Sequence, residues 1–361
     1  MPISLTVQKT EGKPGQVYYP LKLNEVPKPT PREGEVLIRL SAAALNHRDL
    51  FIRQHLYPAI SFDRPMLADG CGVVVEVGPG CSSDGNSLLH KSVVLMPSAG
   101  WESDPEGPEG TFAVLGSSKL HPAGMAQEYV AFPESQVELA PEHLSFVETA
   151  ALPLVGLTGW RAFVTKSGNA ERGRNILVTG IGGGVALQVL QFAIAMGCNV
   201  YVTSGDEAKI ERAKTLGAKG GVTYKNARWD KELLALLPGD RKYLDAVVDG
   251  AGGDIVARTA KILKQGGVIS QYGMTLGPKM EWSMAAVLKN IELRGSTMGS
   301  HAEFVEMVKF VKEKKIKPVV SRVVYGLDNV DGINGLFEDM KAGKQFGKLV
   351  VDFGGDSGSK L

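Results

Sequence analysis

The chain has 361 residues, 43% hydrophobic and 22% charged, which excludes a disordered, collagen-like or coiled-coil protein and suits about two globular domains. Its 40 lysines and arginines against 39 aspartates and glutamates leave a net charge of +1, so nucleic acid and anionic membranes are disfavoured and a small molecule is the expected partner. Three cysteines, Cys71, Cys81 and Cys198, are too few for a disulfide framework or a four-cysteine zinc site, and no stretch approaches the roughly 20 apolar residues of a membrane span.

In chain order, residues 1–155 read as short strands broken by glycine and proline, among them Val36-Leu37-Ile38-Arg39-Leu40, Gly72-Val73-Val74-Val75-Glu76-Val77 and Ser92-Val93-Val94-Leu95-Met96. This predicts an irregular β-rich domain, with 98–119, rich in Gly, Pro and Glu, as a long surface loop. From 156 to 312 apolar runs of strand length alternate with helical periodicity: Ile176-Leu177-Val178-Thr179, Val200-Tyr201-Val202-Thr203, Ala246-Val247-Val248-Asp249 and Val268-Ile269-Ser270-Gln271. Strand alternating with helix predicts parallel βαβ units. A last strand is expected at 291–297 and a helix at about 302–312; β-like segments at 319–325 and 348–352 then rejoin the first domain, so that about 313–353 completes it. The tail, 354–361, ends in Ser359-Lys360-Leu361, a peroxisomal address that an import receptor would read; the cytoplasm is the expectation otherwise.

The strongest chemical signal is Val178-Thr179-Gly180-Ile181-Gly182-Gly183-Gly184-Val185-Ala186, between a strand and an apolar helix at 187–196. Backbone N–H groups at Gly180, Gly182, Gly183, Gly184 and Val185 can approach a pyrophosphate, and the helix N-terminus adds about half a positive charge. A dinucleotide is the expected ligand. NAD-binding units usually place an acid about 20 residues further on, whereas here the second strand ends in Thr203-Ser204-Gly205. Ser204 leaves room for a 2′-phosphate and Lys209 is placed to neutralise it, which favours NADPH. The competing reading makes Asp206 the ribose acid and leaves Lys209 on a solvated helix face.

Three blocks carry a family resemblance: Asn46-His47-Arg48-Asp49-Leu50-Phe51-Ile52-Arg53 running on to Leu56-Tyr57-Pro58, then Glu148-Thr149-Ala150-Ala151-Leu152-Pro153-Leu154-Val155-Gly156-Leu157-Thr158-Gly159-Trp160, and the turn Gly180 to Ala186. With them the chain resembles the medium-chain dehydrogenase/reductase superfamily over nearly its whole length. The resemblance implies an α/β protein, a doubly wound Rossmann parallel sheet plus a β-rich GroES-like catalytic domain, that binds a nicotinamide cofactor. A homodimer is left open. Ala186 departs from the family's last turn glycine, and Arg48 stands where zinc-dependent relatives carry a small hydroxylated residue.

Zinc-dependent members hold a catalytic metal with Cys, His and a second Cys or Asp; the matching places here are Asn46, Ala68 and Leu154, and the 98–119 loop has no cysteine for a structural zinc. The resemblance is therefore to the zinc-less branch of quinone oxidoreductase-like and enoyl reductase proteins, although Gly182-Gly183-Gly184 and Asn46 to Asp49 look most like fungal proteins called zinc-type alcohol dehydrogenase-like. It implies Asn46 and Tyr57 as catalytic residues flanking the nicotinamide, with Tyr57 a proton donor, Thr158 as a nicotinamide neighbour, and Tyr224 as companion of Lys209 at the phosphate. Packing roles for Tyr57, Asn46, Thr158 and Tyr224 stay open. The expected function is NADPH-dependent, zinc-independent reduction of an activated C=C bond in a quinone or α,β-unsaturated carbonyl compound. The alternatives are an alcohol dehydrogenase acting on a small alcohol or aldehyde, and a dinucleotide-binding structural or sensor protein.

Overall fold

A computed structural model describes residues 1–82 and 87–354. The tripeptide Ser359-Lys360-Leu361 lies outside the described residues. The chain forms two units, residues 155–299 and the segments on either side, 1–154 with 300 onward.

The flanking segments build a seven-stranded sheet on Glu35–Ala44, which pairs antiparallel with Asp69–Val77, Tyr129–Pro133 and the C-terminal strand Lys348–Asp352. Val36, Ile38, Leu40, Val74, Val93, Leu95, Phe132, Leu349 and Val351 make its core, joined by Leu336 and Phe337. On the Ala42 and Ala44 side, small residues let the helix Phe146–Ala150 approach, so that Ala150 and Ala151 pack against Cys71 and Val350. That contact accounts for the alanine pair in the 148–160 block.

The expected surface loop at 98–119 pairs Ser98–Ala99 with Ala113–Val114. It is closed by a carboxylate: Glu109 accepts the backbone N–H groups of Glu102, Ser103 and Asp104 at 2.8, 2.7 and 2.6 Å. These bonds hold the Glu109 carboxyl down to about 2. The expected boundary lies near 313, and the two compact units divide between 299 and 300. Helix His301–Lys314 belongs to the first unit, because its otherwise orphaned N–H groups at His301 and Ala302 donate to the Trp101 and Glu102 carbonyls, both at 2.9 Å.

Residues 155–299 form a six-stranded, all-parallel sheet in the order Gly220–Thr223, Asn199–Ser204, Asn175–Val178, Leu244–Asp249, Leu263–Gln271, Glu292–Gly295. This is the doubly wound order of a dinucleotide-binding Rossmann unit, with its change of direction beside Asn175–Val178. Helix Gly184–Ala195 buries Leu187, Val189, Leu190, Phe192 and Ala193 against the sheet. Ala186 is fully buried there, so its methyl group is accommodated. No helix among the described residues is long and apolar enough to cross a membrane.

Candidate active site

The glycine turn is open where a ligand would lie. Gly180 has φ +63°, a left-handed conformation that disfavours side chains, and a Cβ there would meet nothing within 4 Å. Gly183 is the N-cap of helix Gly184–Ala195, and the first intrahelical bond runs from Leu187 N–H to Gly183 O at 3.1 Å. The N–H groups of Gly184, Val185 and Ala186 therefore precede the helical ladder and remain for an anion. Gly159 packs on this turn, its Cβ position 3.5 Å from Val185 O, which sets its neighbour Thr158 beside the turn. Thr158 is buried and its hydroxyl donates to Met298 Sδ at 3.5 Å. The residues present fit a dinucleotide.

A buried carboxylate missing from the sequence-level candidates stiffens this region. Asp249, at the end of Leu244–Asp249, accepts from the Thr179 hydroxyl, from Gln271 Nε2 at 2.6 Å and from Gly252 N–H at 2.7 Å. An acid at a strand end followed by Gly250-Ala251-Gly252-Gly253 is the signal that could have pointed to it.

At the second strand, Ser204 and Tyr224 come together. Tyr224 N–H donates to Ser204 O at 3.1 Å, and a Cβ on Gly205 would lie 2.6 Å from Tyr224 Oη, so the exposed tyrosine lies along the Gly205 backbone. Asp206 is the N-cap of helix Glu207–Thr215, its carboxylate taken by Ala208 N–H at 2.9 Å. Lys209 stands in the first turn of that helix. Partial burial holds its ammonium below the usual value, Asp206 opposes this, and Arg212 adds to it.

In the first unit, the three places that match zinc ligands do converge, around Asp69. Asn46 Nδ2 donates to Asp69 Oδ2 at 2.9 Å, Leu154 N–H donates to Asp69 Oδ1 at 2.8 Å, and Ala68 precedes it in the chain. The cation at their centre is Lys348. Its ammonium donates to Asp69 Oδ2 at 2.7 Å, Asn46 Oδ1 at 2.6 Å and Leu45 O at 2.7 Å, which commits all three protons. The donor set does not fit zinc: Ala68 and Leu154 have no ligating side-chain atom, and the acceptors of Asn46 and Asp69 are held by the lysine. No group of three or more His, Cys, Asp or Glu among the described residues can hold a metal ion.

This network also places the two expected catalytic residues. The Asn46 amide turns to Lys348 and Asp69, while its N–H donates to Asp49 Oδ2 at 2.8 Å and starts the helix His47–Arg53. Tyr57, half-buried, lies against Arg48, whose guanidinium carbon is 4.7 Å from the ring centroid. Sequence reasoning does not find Lys348 or Asp69; a lone lysine opening the apolar run Lys348-Leu349-Val350-Val351 is the only signal.

Residues 32–142 match the alcohol dehydrogenase GroES-like domain, and residues 184–313 the zinc-binding dehydrogenase family. A zinc-type alcohol dehydrogenase-like protein of Leptosphaeria maculans is 60% identical over 98% of this chain and 100% of its own length. The crystal structure of an NAD-dependent alcohol dehydrogenase has a TM-score of 0.84 at 32% identity, covering 98% of this chain and 100% of that one. An acryloyl-coenzyme A reductase of Sulfurisphaera tokodaii is 27% identical over 90% of this chain and 95% of its own length. Matched in both halves and along nearly its whole length, this chain belongs to the medium-chain dehydrogenase/reductase superfamily and is an NAD(P)H-dependent oxidoreductase.

Proposed function

We propose that the protein is a zinc-independent, NADPH-dependent reductase of an activated C=C bond, in a quinone or an α,β-unsaturated carbonyl compound. The observation that carries this reading is the Lys348 ammonium held by Asn46, Asp69 and the Leu45 carbonyl. Its three protons are spent on protein acceptors, so it offers no vacant position to a substrate carbonyl. An activated double bond needs less polarisation, because the developing charge spreads onto an enolate oxygen. The likeness to an acryloyl-coenzyme A reductase supports the same bond type.

Gly180, Gly182, Gly183, Gly184 and Val185 would hold the dinucleotide by its pyrophosphate and Thr158 would neighbour its nicotinamide, which would supply a hydride to the β-carbon. The π pair of the C=C bond then moves toward the carbonyl. The Tyr57 O–H gives its proton to the resulting enolate, and the phenolate is reprotonated from water. Ser204, Lys209 and Tyr224 take the 2′-phosphate, and the use of Asp206 as a helix cap supports NADPH over NADH.

Purified protein should oxidise NADPH faster than NADH with 1,4-benzoquinone, 2-cyclohexenone or crotonyl-coenzyme A, without stoichiometric zinc and with full activity after chelation. Tyr57→Phe should lower kcat by about 10²-fold or more, the range of a proton donor. Turnover of small alcohols only, with one zinc per chain required, would instead establish the alcohol dehydrogenase reading. A homodimer is supported by exposed Leu276, Met284 and Leu288, which precede the edge strand Glu292–Gly295 in the chain, and sedimentation tests it. The peroxisomal address rests on Ser359-Lys360-Leu361 alone, and an amino-terminal fluorescent fusion with and without Leu361 tests it.

A further inference from the structure

Arg48 is buried, with its side chain 7% exposed, and each part of its guanidinium is placed. Nη1 donates to Leu115 O at 2.7 Å and to Asp49 Oδ1 at 3.2 Å, and Nη2 donates to Gly116 O at 2.9 Å. Its guanidinium carbon lies 4.7 Å over the centroid of the Tyr57 ring, while Nε is buried and has no hydrogen-bond partner among the described residues. The carbonyls that hold it are themselves fixed. Gly116 has φ +84°, and a Cβ there would come within 2.6 Å of the Leu67 backbone, just ahead of Ala68 and Asp69. Leu67 is in turn held at φ +63°, a conformation uncommon for a bulky residue and kept only where the surroundings enforce it.

We propose that Arg48 is a positioning residue for Tyr57, its cation holding the ring in the pose from which the hydroxyl donates. This rests on the donor role given to Tyr57 above. The aromatic face carries negative potential, so a cation on it orients the ring. Two of the three acceptors of Arg48 are the neutral carbonyls of Leu115 and Gly116, and its charge beside Tyr57 is met by the Asp49 carboxylate at 3.2 Å. A long, forked side chain is needed: an arginine reaches two successive carbonyls with its edge and still presents a face, whereas a lysine is a point charge.

The test is a double-mutant cycle using the probe that is turned over fastest among the three named above. Arg48→Gln should lower kcat about tenfold, a coupling of ordinary size for residues in contact, while leaving KM within about twofold. Arg48→Lys should recover part of the loss. In the Tyr57→Phe background, Arg48→Gln should change kcat by less than about twofold, because the group through which it acts is gone. NADPH binding, followed by cofactor fluorescence, should stay near that of the unmodified chain, while thermal melting should fall, because Asp49 loses its buried partner. If Arg48→Gln does not fold, the cycle is run with Arg48→Lys. Losses that multiply in the double variant would overturn the positioning role while leaving Tyr57 as donor. An unchanged kcat in Tyr57→Phe alone would overturn both.

Discussion

Asp69 in the first unit and Asp245 in the second are both fully buried carboxylates facing cations. Around Asp245 the cations are Arg174, Arg241 and Lys264, at 3.2, 2.5 and 3.2 Å, and their side chains are 28–29% exposed. Around Asp69 the cation is Lys348, at 2.7 Å and 4% exposed. A charge that keeps contact with solvent gives up little hydration, so the Asp245 cluster is redundant and cheap to alter. A pair taken wholly out of water loses the hydration of both ions and depends on every remaining hydrogen bond. The difference separates a clamp at the amino-terminal edge of the Rossmann sheet from the centre of the expected catalytic residues.

Lys348→Met should have the largest effect. It leaves Asp69 buried without its cation and Asn46 Oδ1 without its donor, and removing one partner of a buried pair typically costs about 3–5 kcal/mol. Urea denaturation measures the loss. Adding Asp69→Asn should restore part of it, since the unpaired charge is then removed. A cost below about 1 kcal/mol, in the range of exposed pairs, would erase the distinction between the two clusters.

The two clusters also differ in how far apart in sequence their members lie, which decides what could be read without coordinates. The glycine turn was legible because its strand, turn and helix are contiguous, and Ser204, Lys209 and Tyr224 follow at short range. Lys348 reaches Asn46 across 302 positions, so no periodicity or local spacing announces the pair. The zinc-ligand places were legible only as substitutions; that they still converge on one carboxylate, with a lysine as the cation, is a tertiary fact. Helix Val330–Lys341 was likewise unmarked. Gly332 and Gly335 lower its propensity, and burial of Ile333, Leu336, Phe337 and Met340 overrides them.

An intermediate effect is expected in the acid range, with opposite signs in the two regions. Burial, the dominant influence, raises Asp49 from an ordinary 3.8 to about 6. Across that window the native state keeps a proton that the unfolded chain has released, so stability falls as pH rises from about 4 to about 6, by roughly 2–3 kcal/mol. Burial also pushes Asp245 upward, but the hydrogen bonds from Arg241, the Asn175 N–H and Lys264 outweigh it and hold the carboxyl below its ordinary value. Its stabilisation is present above the ordinary carboxylate range and is lost as pH falls through the folded value. In denaturation profiles, Asp49→Asn should flatten the decline between about pH 4 and 6, and Asp245→Asn should remove part of the loss at lower pH. Parallel profiles for the two variants would contradict the assignment.

The smallest effect should come from Arg241→Ala. Arg241 is the nearest cation to Asp245 and stacks at 4.9 Å on the Tyr243 ring, so by distance alone its loss ought to matter. Three donors nevertheless remain on that carboxylate: Arg174 and Lys264, both at 3.2 Å, and the Asn175 N–H at 2.8 Å. The space vacated by a side chain already 28% exposed opens to water, which can solvate the freed oxygen at little cost. The bonds from Asn175 Nδ2 to the Arg241 and Tyr243 carbonyls involve backbone acceptors and survive the change. The expected cost is about 1 kcal/mol or less, and salt should narrow it further because the pair is reached by solvent. A loss as large as that of Lys348→Met, insensitive to salt, would mean that the Asp245 cluster is as closed to water as the Asp69 pair, and that depth of burial rather than redundancy of partners governs both.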